Sequence, residues 1–285
     1  MTAPTETASG YRAGRTLPLR VEAVRQLRRR RTMVMAVVLA AIPLILVAAF
    51  AIAGTSTAGQ ADRVDLMDTT TVSGPNFAAA TLFASAGFLL VVPVALFFGD
   101  TVASEADWSS LRYLLAAPVP RRRLLWSKLV VALAFSLAAI VLLALLSLVV
   151  GIIAYGWQPL QSPAGGSVPP TGAVGRLAIA VAFVFLSQLV TAGLAFWLST
   201  VTDAPLGAVG GAVGLTVVGN VLDAVTALGS WREFLPAHWQ YAWADATQPQ
   251  LEWAGMIKGT SVSVAYALVL FALAFRGFSR KDIVS

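Results

Sequence analysis

Six stretches of the chain are apolar for long enough to cross a lipid bilayer, and polar segments separate them. A spanning helix needs about 20 mostly apolar residues to traverse ~30 Å of hydrocarbon. The stretches are 33–53, 77–98, 129–155, 177–200, 204–222 and 259–275. The second holds no charged residue and the fifth is rich in glycine. Pro43 and Pro93 fall inside the first two, where a proline is tolerated and is expected to kink the helix. Ahead of the first stretch, over Pro18–Arg31, Leu17, Val21, Val24 and Leu27 fall on one side of a helix and arginines fill most of the rest. That pattern suits a helix lying in the interface on anionic lipid, and equally a plain basic anchor for the first span.

The expected fold is an all-α integral membrane protein. It has six transmembrane helices, an N-terminal amphipathic interfacial helix and a short extramembrane helix between spans two and three. Residues 1–14 form a polar tail expected to be disordered, and 15–285 a single transmembrane domain. Composition supports this. Hydrophobic residues make up 58% of the chain and charged residues 12%, against roughly 45–50% and 25% in soluble domains. So few charges cannot build a water-facing shell.

The net charge of +6 would raise the question of nucleic acid in a soluble protein. Here the basic residues border apolar runs, so no nucleic-acid partner is expected. Arg12 to Arg31, the loop 99–128 and the tail after span six hold sixteen of the twenty Lys and Arg residues. Arg63, Arg176, Arg232 and Lys258 lie in the alternate loops. The positive-inside bias then places both termini in the cytoplasm, with the chain in the plasma membrane. The longest alternate loop, Asp223–Lys258, carries Trp231, Trp239, Trp243 and Trp253 and is expected to lie on or dip into the outer face.

The loop between spans two and three is the richest in signals. Trp108, Leu111 and Leu115 share one helical face, Glu105 and Arg112 flank it, and Pro118 and Pro120 end it. Such a face can dock a soluble partner or pack on the ends of the protein's own helices. The run from Glu105 through Ser109-Ser110-Leu111-Arg112-Tyr113-Leu114-Leu115-Ala116-Ala117-Pro118-Val119-Pro120-Arg121 to Lys128 resembles the signature of ABC-2-type transporter permeases. It departs from that pattern at Ser109-Ser110, where Gly-Thr is usual, and at Pro120, where Ser is usual. The Arg-rich segment before span one and the tail from Phe275 to Ile283 are similar to the same family.

The resemblance implies a dimer of six-span halves, homo- or heteromeric, each seated on a separate ATP-binding subunit that holds ATP and Mg. It implies a coupling helix contacting that subunit through Glu105, Trp108, Leu111, Arg112, Leu115 and Arg121. It implies export, here of a hydrophobic or amphipathic substrate.

No catalytic machinery is legible in the chain. A phosphate loop needs G-x-x-x-x-G-K-[ST]; Gly207, Gly210, Gly211 and Gly214 have no lysine and sit in an apolar span. The chain is therefore read as no enzyme, with no cofactor of its own. His238 is the single histidine, no cysteine is present, and no metal-ligand spacing occurs. Asp62, Asp65 and Asp68 lack the glycine and glutamate of a calcium loop. Gly207, Gly211 and Gly214 suit close helix packing, within the protomer or across a dimer. Gln188 and Asn220 are read as pathway or helix-packing residues. The rival functions are a carrier or channel working without ATP, which should carry charges along its path, and a membrane scaffold.

Overall fold

The computed structural model describes residues 19–53, 66–67, 69–107 and 120–280, excepting the side chains of 53 and 105–107. The tail 1–14 and the acidic positions Asp62, Asp65 and Asp68 lie outside the described residues. Nearly everything described is helical. Five helices are long and apolar enough to cross a membrane, six if a bent pair counts as one span.

Helix α1 (Leu19–Leu27) stops at a turn over Arg28-Arg29, and α2 (Arg30–Ala53) starts immediately after it. Leu19, Val21, Val24 and Leu27 are all exposed, while Gln26 is buried against the protein. The apolar face anticipated for this segment thus points away from the bundle. Helix α2 runs through Pro43 without interruption of its helical assignment.

The second apolar stretch is not one helix. It divides into α3 (Gly74–Ala86) and α4 (Val91–Asp107), bent by 51°. The break lies at 87–90, upstream of Pro93. Proline in the first turn of α4 lacks only an N–H that has no intrahelical partner there, so Pro93 starts a helix and does not kink one. Ser73 caps α3: its Oγ accepts from Asn76 N–H at 3.2 Å, and Pro75 follows in the first turn. Asn76 also pairs its amide with the backbone of Gln161, donating at 2.8 Å and accepting at 2.9 Å. That ties α3 to a two-stranded hairpin, β1 (Leu160–Gln161) and β2 (Ser167–Val168).

Helix α5 (Arg121–Tyr155) has 35 residues, starting eight before the hydropathy boundary at Leu129. At 1.5 Å per residue it is about 50 Å long, well beyond the ~30 Å hydrocarbon core. Helices α6 (Pro170–Ser187) and α7 (Leu189–Val201) form one span interrupted at Gln188, starting seven residues before the expected 177. Helix α8 (Pro205–Ala224) matches the glycine-rich stretch. Three 3-10 turns follow, at Thr226–Phe234, Pro236–Trp239 and Ala242–Thr247. Helix α9 (Ala254–Arg280) begins ahead of Lys258 and extends past the expected end at 275.

Helix α7 is central, packed against α4, α8 and α9, while α3 packs on α5. Gly151 makes the α3–α5 contact possible: a Cβ there would sit 2.8 Å from the Gly74 carbonyl oxygen. The core is apolar, and unlike that of a water-soluble protein the exterior is apolar too. Ile52, Ile153 and Leu206 are over 80% exposed, whereas Asp100, Lys128, Gln188 and Ser199 are buried. An apolar exterior around a polar-studded interior suits hydrocarbon as the surrounding solvent.

Candidate functional site

The Arg-rich end of the bundle is held by ion pairs. Asp100, on α4, is buried and lies between two guanidinium groups, one from the turn after α1 and one from the start of α2. Arg29 donates from Nη1 to Oδ2, and Arg31 donates from Nη1 to Oδ1 at 2.6 Å. Lys128, on the extended first part of α5, has a fully buried side chain and donates from Nζ to Glu22 Oε1 of α1 at 3.2 Å. Arg121 Nη1 reaches the Ser279 carbonyl of α9 at 3.5 Å. These contacts bring α1, the start of α2, the end of α4, the start of α5 and the end of α9 together. Helix α4 ends and α5 begins at this cluster.

Inside the bundle, two helix interruptions face each other. Gln188 donates from Nε2 to the Ala86 carbonyl at 2.9 Å, and Asn220 from Nδ2 to the Gly87 carbonyl at 3.3 Å. Leu90 N–H reaches back five residues to Ser85 O at 2.9 Å. The broken backbone is therefore satisfied by side chains of α6–α7 and α8, as an interrupted span in hydrocarbon requires. The Tyr241 hydroxyl closes on Gly87: a Cβ at that glycine would lie 2.6 Å from it. Burial raises the Tyr241 pKa above its usual value.

A cavity of about 350 Å³ opens beside the break. Ala86 and Val91 line it from the broken span, with Gln188, Thr191 and Leu194 of α6–α7, Leu215, Thr216, Gly219 and Asn220 of α8, Pro236, Ala237 and Gln240 of the 3-10 segment, and Tyr266 and Leu270 of α9. Thr191 and Thr216 hydroxyls lie 3.2 Å apart. The lining contains no ionisable group apart from the Tyr266 phenol. Helices α8 and α9 both pack on α7 and hardly touch each other, and the turn Pro236–Trp239 bridges them at one end.

The Trp-rich end is folded into the bundle. Trp243 is fully buried and its ring meets Phe83 edge-on at 6.4 Å, while Trp231 and Trp253 stay exposed. Trp239 donates from Nε1 to the Glu233 carbonyl at 2.9 Å and carries Lys258 Nζ 5.4 Å from its ring. Asp223, at the end of α8, takes His238 Nδ1 at 2.9 Å and Arg232 Nε at 3.3 Å. Asp245 has a raised pKa, mainly through burial and secondly through the Glu252 charge. No group of three or more His, Cys, Asp or Glu gathers among the described residues.

Residues 44–284 match the family described as "Protein of unknown function (DUF2705)". The chain belongs to the DUF2705 family. Its match covers α3 to α9 and every residue lining the cavity, and leaves out α1 and the Arg28–Arg31 run. This DUF2705 chain is also similar to the uncharacterized protein YhcI of Bacillus subtilis (strain 168), at 27% identity over 197 residues. That alignment covers 65% of this chain and 61% of the relative, so the chain spans about three fifths of the curated protein it matches.

Of the residues expected to act in coupling, Trp108, Leu111, Arg112 and Leu115 and the side chain of Glu105 lie outside the described residues. The backbone of Glu105 belongs to the last turn of α4, and Arg121 opens α5. The structure brings Gln188 and Asn220 together at the broken span, where each serves its backbone and also lines the cavity. Gly211 meets Leu198 of α7, which is packing within the protomer. A Cβ at Gly207 would touch only the neighbouring Ala204 and Thr202, and one at Gly214 would meet nothing within 4 Å. Sequence reasoning missed Thr191, Thr216 and Tyr266. The signal was present: Gln188–Thr191 and Thr216–Asn220 are polar pairs at i,i+3 and i,i+4 in otherwise apolar helices.

Proposed function

We propose that this chain is the transmembrane permease subunit of an ATP-driven ABC transporter of the ABC-2 type, and that it exports a hydrophobic or amphipathic substrate. Six spans put both termini in the cytoplasm of a plasma-membrane protein. A separate ATP-binding subunit, carrying ATP and Mg, docks on the loop 99–128, and a second permease half completes the transporter. The chain itself hydrolyses nothing.

The loop sequence from Glu105 to Lys128 carries this reading, because its resemblance to the coupling segment is the feature a scaffold or an ion-coupled carrier leaves unexplained. The geometry beside it is what such a loop needs. Its two stems are α4 and α5, the first fixed through Asp100 to the turn after α1 and the start of α2, the second through Lys128 to α1. A push on the loop is then delivered to helices, not absorbed by a slack connection, which suits a rigid-body switch. Helices α5 to α9 carry no series of buried acidic and basic residues along their apolar lengths, which argues against a proton-coupled carrier.

The test is affinity purification of the full chain from its native membranes. An ATP-binding subunit should co-purify. Glu105→Arg combined with Trp108→Ala should remove it while leaving the chain folded and inserted. Purification without any ATPase, together with transport untouched in the double variant, would end the proposal.

A further inference from the structure

We infer that the cavity beside the broken span is a substrate site open to the bilayer, and that it takes an uncharged amphiphile whose head both donates and accepts hydrogen bonds. This rests on the permease reading and names the substrate class for it.

Charge comes first. No carboxylate or basic side chain lines the cavity. A charged head placed there would be buried without a counter-ion, which is costly, whereas neutral polar groups need only hydrogen bonds. Hydrogen-bond direction comes next. Gln188 and Asn220 spend one amide N–H each on the carbonyls of Ala86 and Gly87, which fixes their amide orientation and leaves each a side-chain oxygen as acceptor and a second N–H as donor. Thr216 donates its hydroxyl hydrogen to the Ala212 carbonyl at 2.9 Å. In its 3.2 Å contact with Thr191, Thr191 is therefore the donor. Its oxygen keeps only lone pairs to offer. Acceptors on two sides, α6–α7 and α8, thus stand beside donors from the Gln240 amide and the Tyr266 hydroxyl, and the complementary ligand group is a neutral one that both donates and accepts, such as a hydroxyl.

Access comes last. Helices α8 and α9 flank the cavity without packing on each other, and Leu215 and Tyr266, both lining residues, are 48% and 45% exposed. The opening lies between helices whose outer faces are apolar, so a lipid-dissolved molecule can enter sideways. The volume of about 350 Å³ falls in the ordinary range for small-ligand sites and fits a head and the first part of a chain, not a whole diacyl lipid.

The probe is a matched set of diazirine-bearing sixteen-carbon chains ending in an alcohol, its methyl ether, a carboxylate or a primary ammonium. Membranes containing the full chain are irradiated without ATP, and labelled peptides are mapped. The alcohol should label peptides of α7, α8 and α9. The carboxylate and ammonium should label them at least about tenfold less, since burying an unpaired charge costs more than the ~1.4 kcal/mol that factor represents. The ether, which cannot donate, should also fall below the alcohol.

Gly219→Phe should plug the site, because a Cβ there meets nothing within 4 Å and the residue lines the cavity. Gly175→Phe adds the same bulk at an open glycine away from it and should label as the parent does. The near-isosteric pair Thr191→Val with Thr216→Val removes one acceptor and should bring alcohol labelling part of the way towards the ether level, without needing Gly219→Phe to fold. Equal labelling by alcohol and ammonium, or labelling indifferent to both the plug and the threonine pair, would overturn the inference. Because the readout needs no ATP, it can succeed where no ATPase co-purifies, or fail where one does, so the two proposals are judged separately.

Discussion

Asp100 is the residue on which the Arg-rich end depends. Its carboxylate is 6% exposed and faces Arg29, 20% exposed, and Arg31, 59% exposed. Removing the charge in Asp100→Asn leaves a largely buried guanidinium without its partner, a loss of about 3 kcal/mol. Arg31→Ala removes an exposed partner and costs under about 1 kcal/mol. Thermal unfolding of the detergent-solubilised protein checks both, and equal effects would show that burial does not set the ranking. Asp245 makes the opposite case. Its pKa is raised above 3.8 in the folded chain, first by burial and then by Glu252. Between those two pKa values the folded state holds the proton that the unfolded chain has released, so stability falls as pH rises through the window. Above it the deficit persists. Asp245→Asn should therefore raise the unfolding midpoint at pH 7, and the gain should vanish on acidification below about pH 4. Neither residue stood out in the sequence. Asp100 reads as one acid at the end of an apolar run, and its two arginines are about seventy positions away.

At the scale of elements, apolar length was legible and continuity was not. Each apolar stretch coincides with a long apolar helix or, for 77–98, with a bent helix pair, because twenty apolar residues are a local property of the sequence. Hydropathy could not see that 77–98 breaks at Gly87. The break is made tolerable by Gln188, Asn220 and Tyr241, which are over a hundred positions away and are not visible to a local window. The polar residues themselves were legible; their partners were not. This yields a coupled prediction. Gly87→Ala should destabilise the protein, since the new Cβ would sit 2.6 Å from the Tyr241 hydroxyl, and Tyr241→Phe should restore most of the loss. Non-additivity in the double variant is the measurement. Gln188→Leu should cost about 1–2 kcal/mol by leaving the Ala86 carbonyl without its donor. The long α5 was missed for a simpler reason. Arg121, Arg122 and Arg123 are poor membrane residues but good helix formers, so the helix continues where the hydropathy stops.

The whole molecule has two unlike ends, and this difference supplies the sharpest test of orientation. One end gathers Arg28–Arg31, Arg121–Arg123 and the last turn of α9; the other is capped by the tryptophan-bearing 3-10 turns and the hairpin. The positive-inside rule assigns the first to the cytoplasm and the second to the outside, as the permease proposal requires. The chain contains no cysteine, so any single introduced thiol reports alone. Arg122 and Gln250 are both exposed and sit at opposite ends. In intact cells a membrane-impermeant maleimide should modify Gln250→Cys and spare Arg122→Cys. After permeabilisation both should react. Labelling of Arg122→Cys in intact cells would invert the molecule and place the loop 99–128 out of reach of any cytoplasmic ATPase. An odd number of spans would separate the termini, so a cysteine on either side of the bent pair extends the test. If α3 and α4 dipped in and returned on the same side, the end of α4 would label with the Trp-rich end. The ion pairs of Asp100 with Arg29 and Arg31 instead join the end of α4 to the Arg-rich end, so α3 and α4 should together count as one crossing.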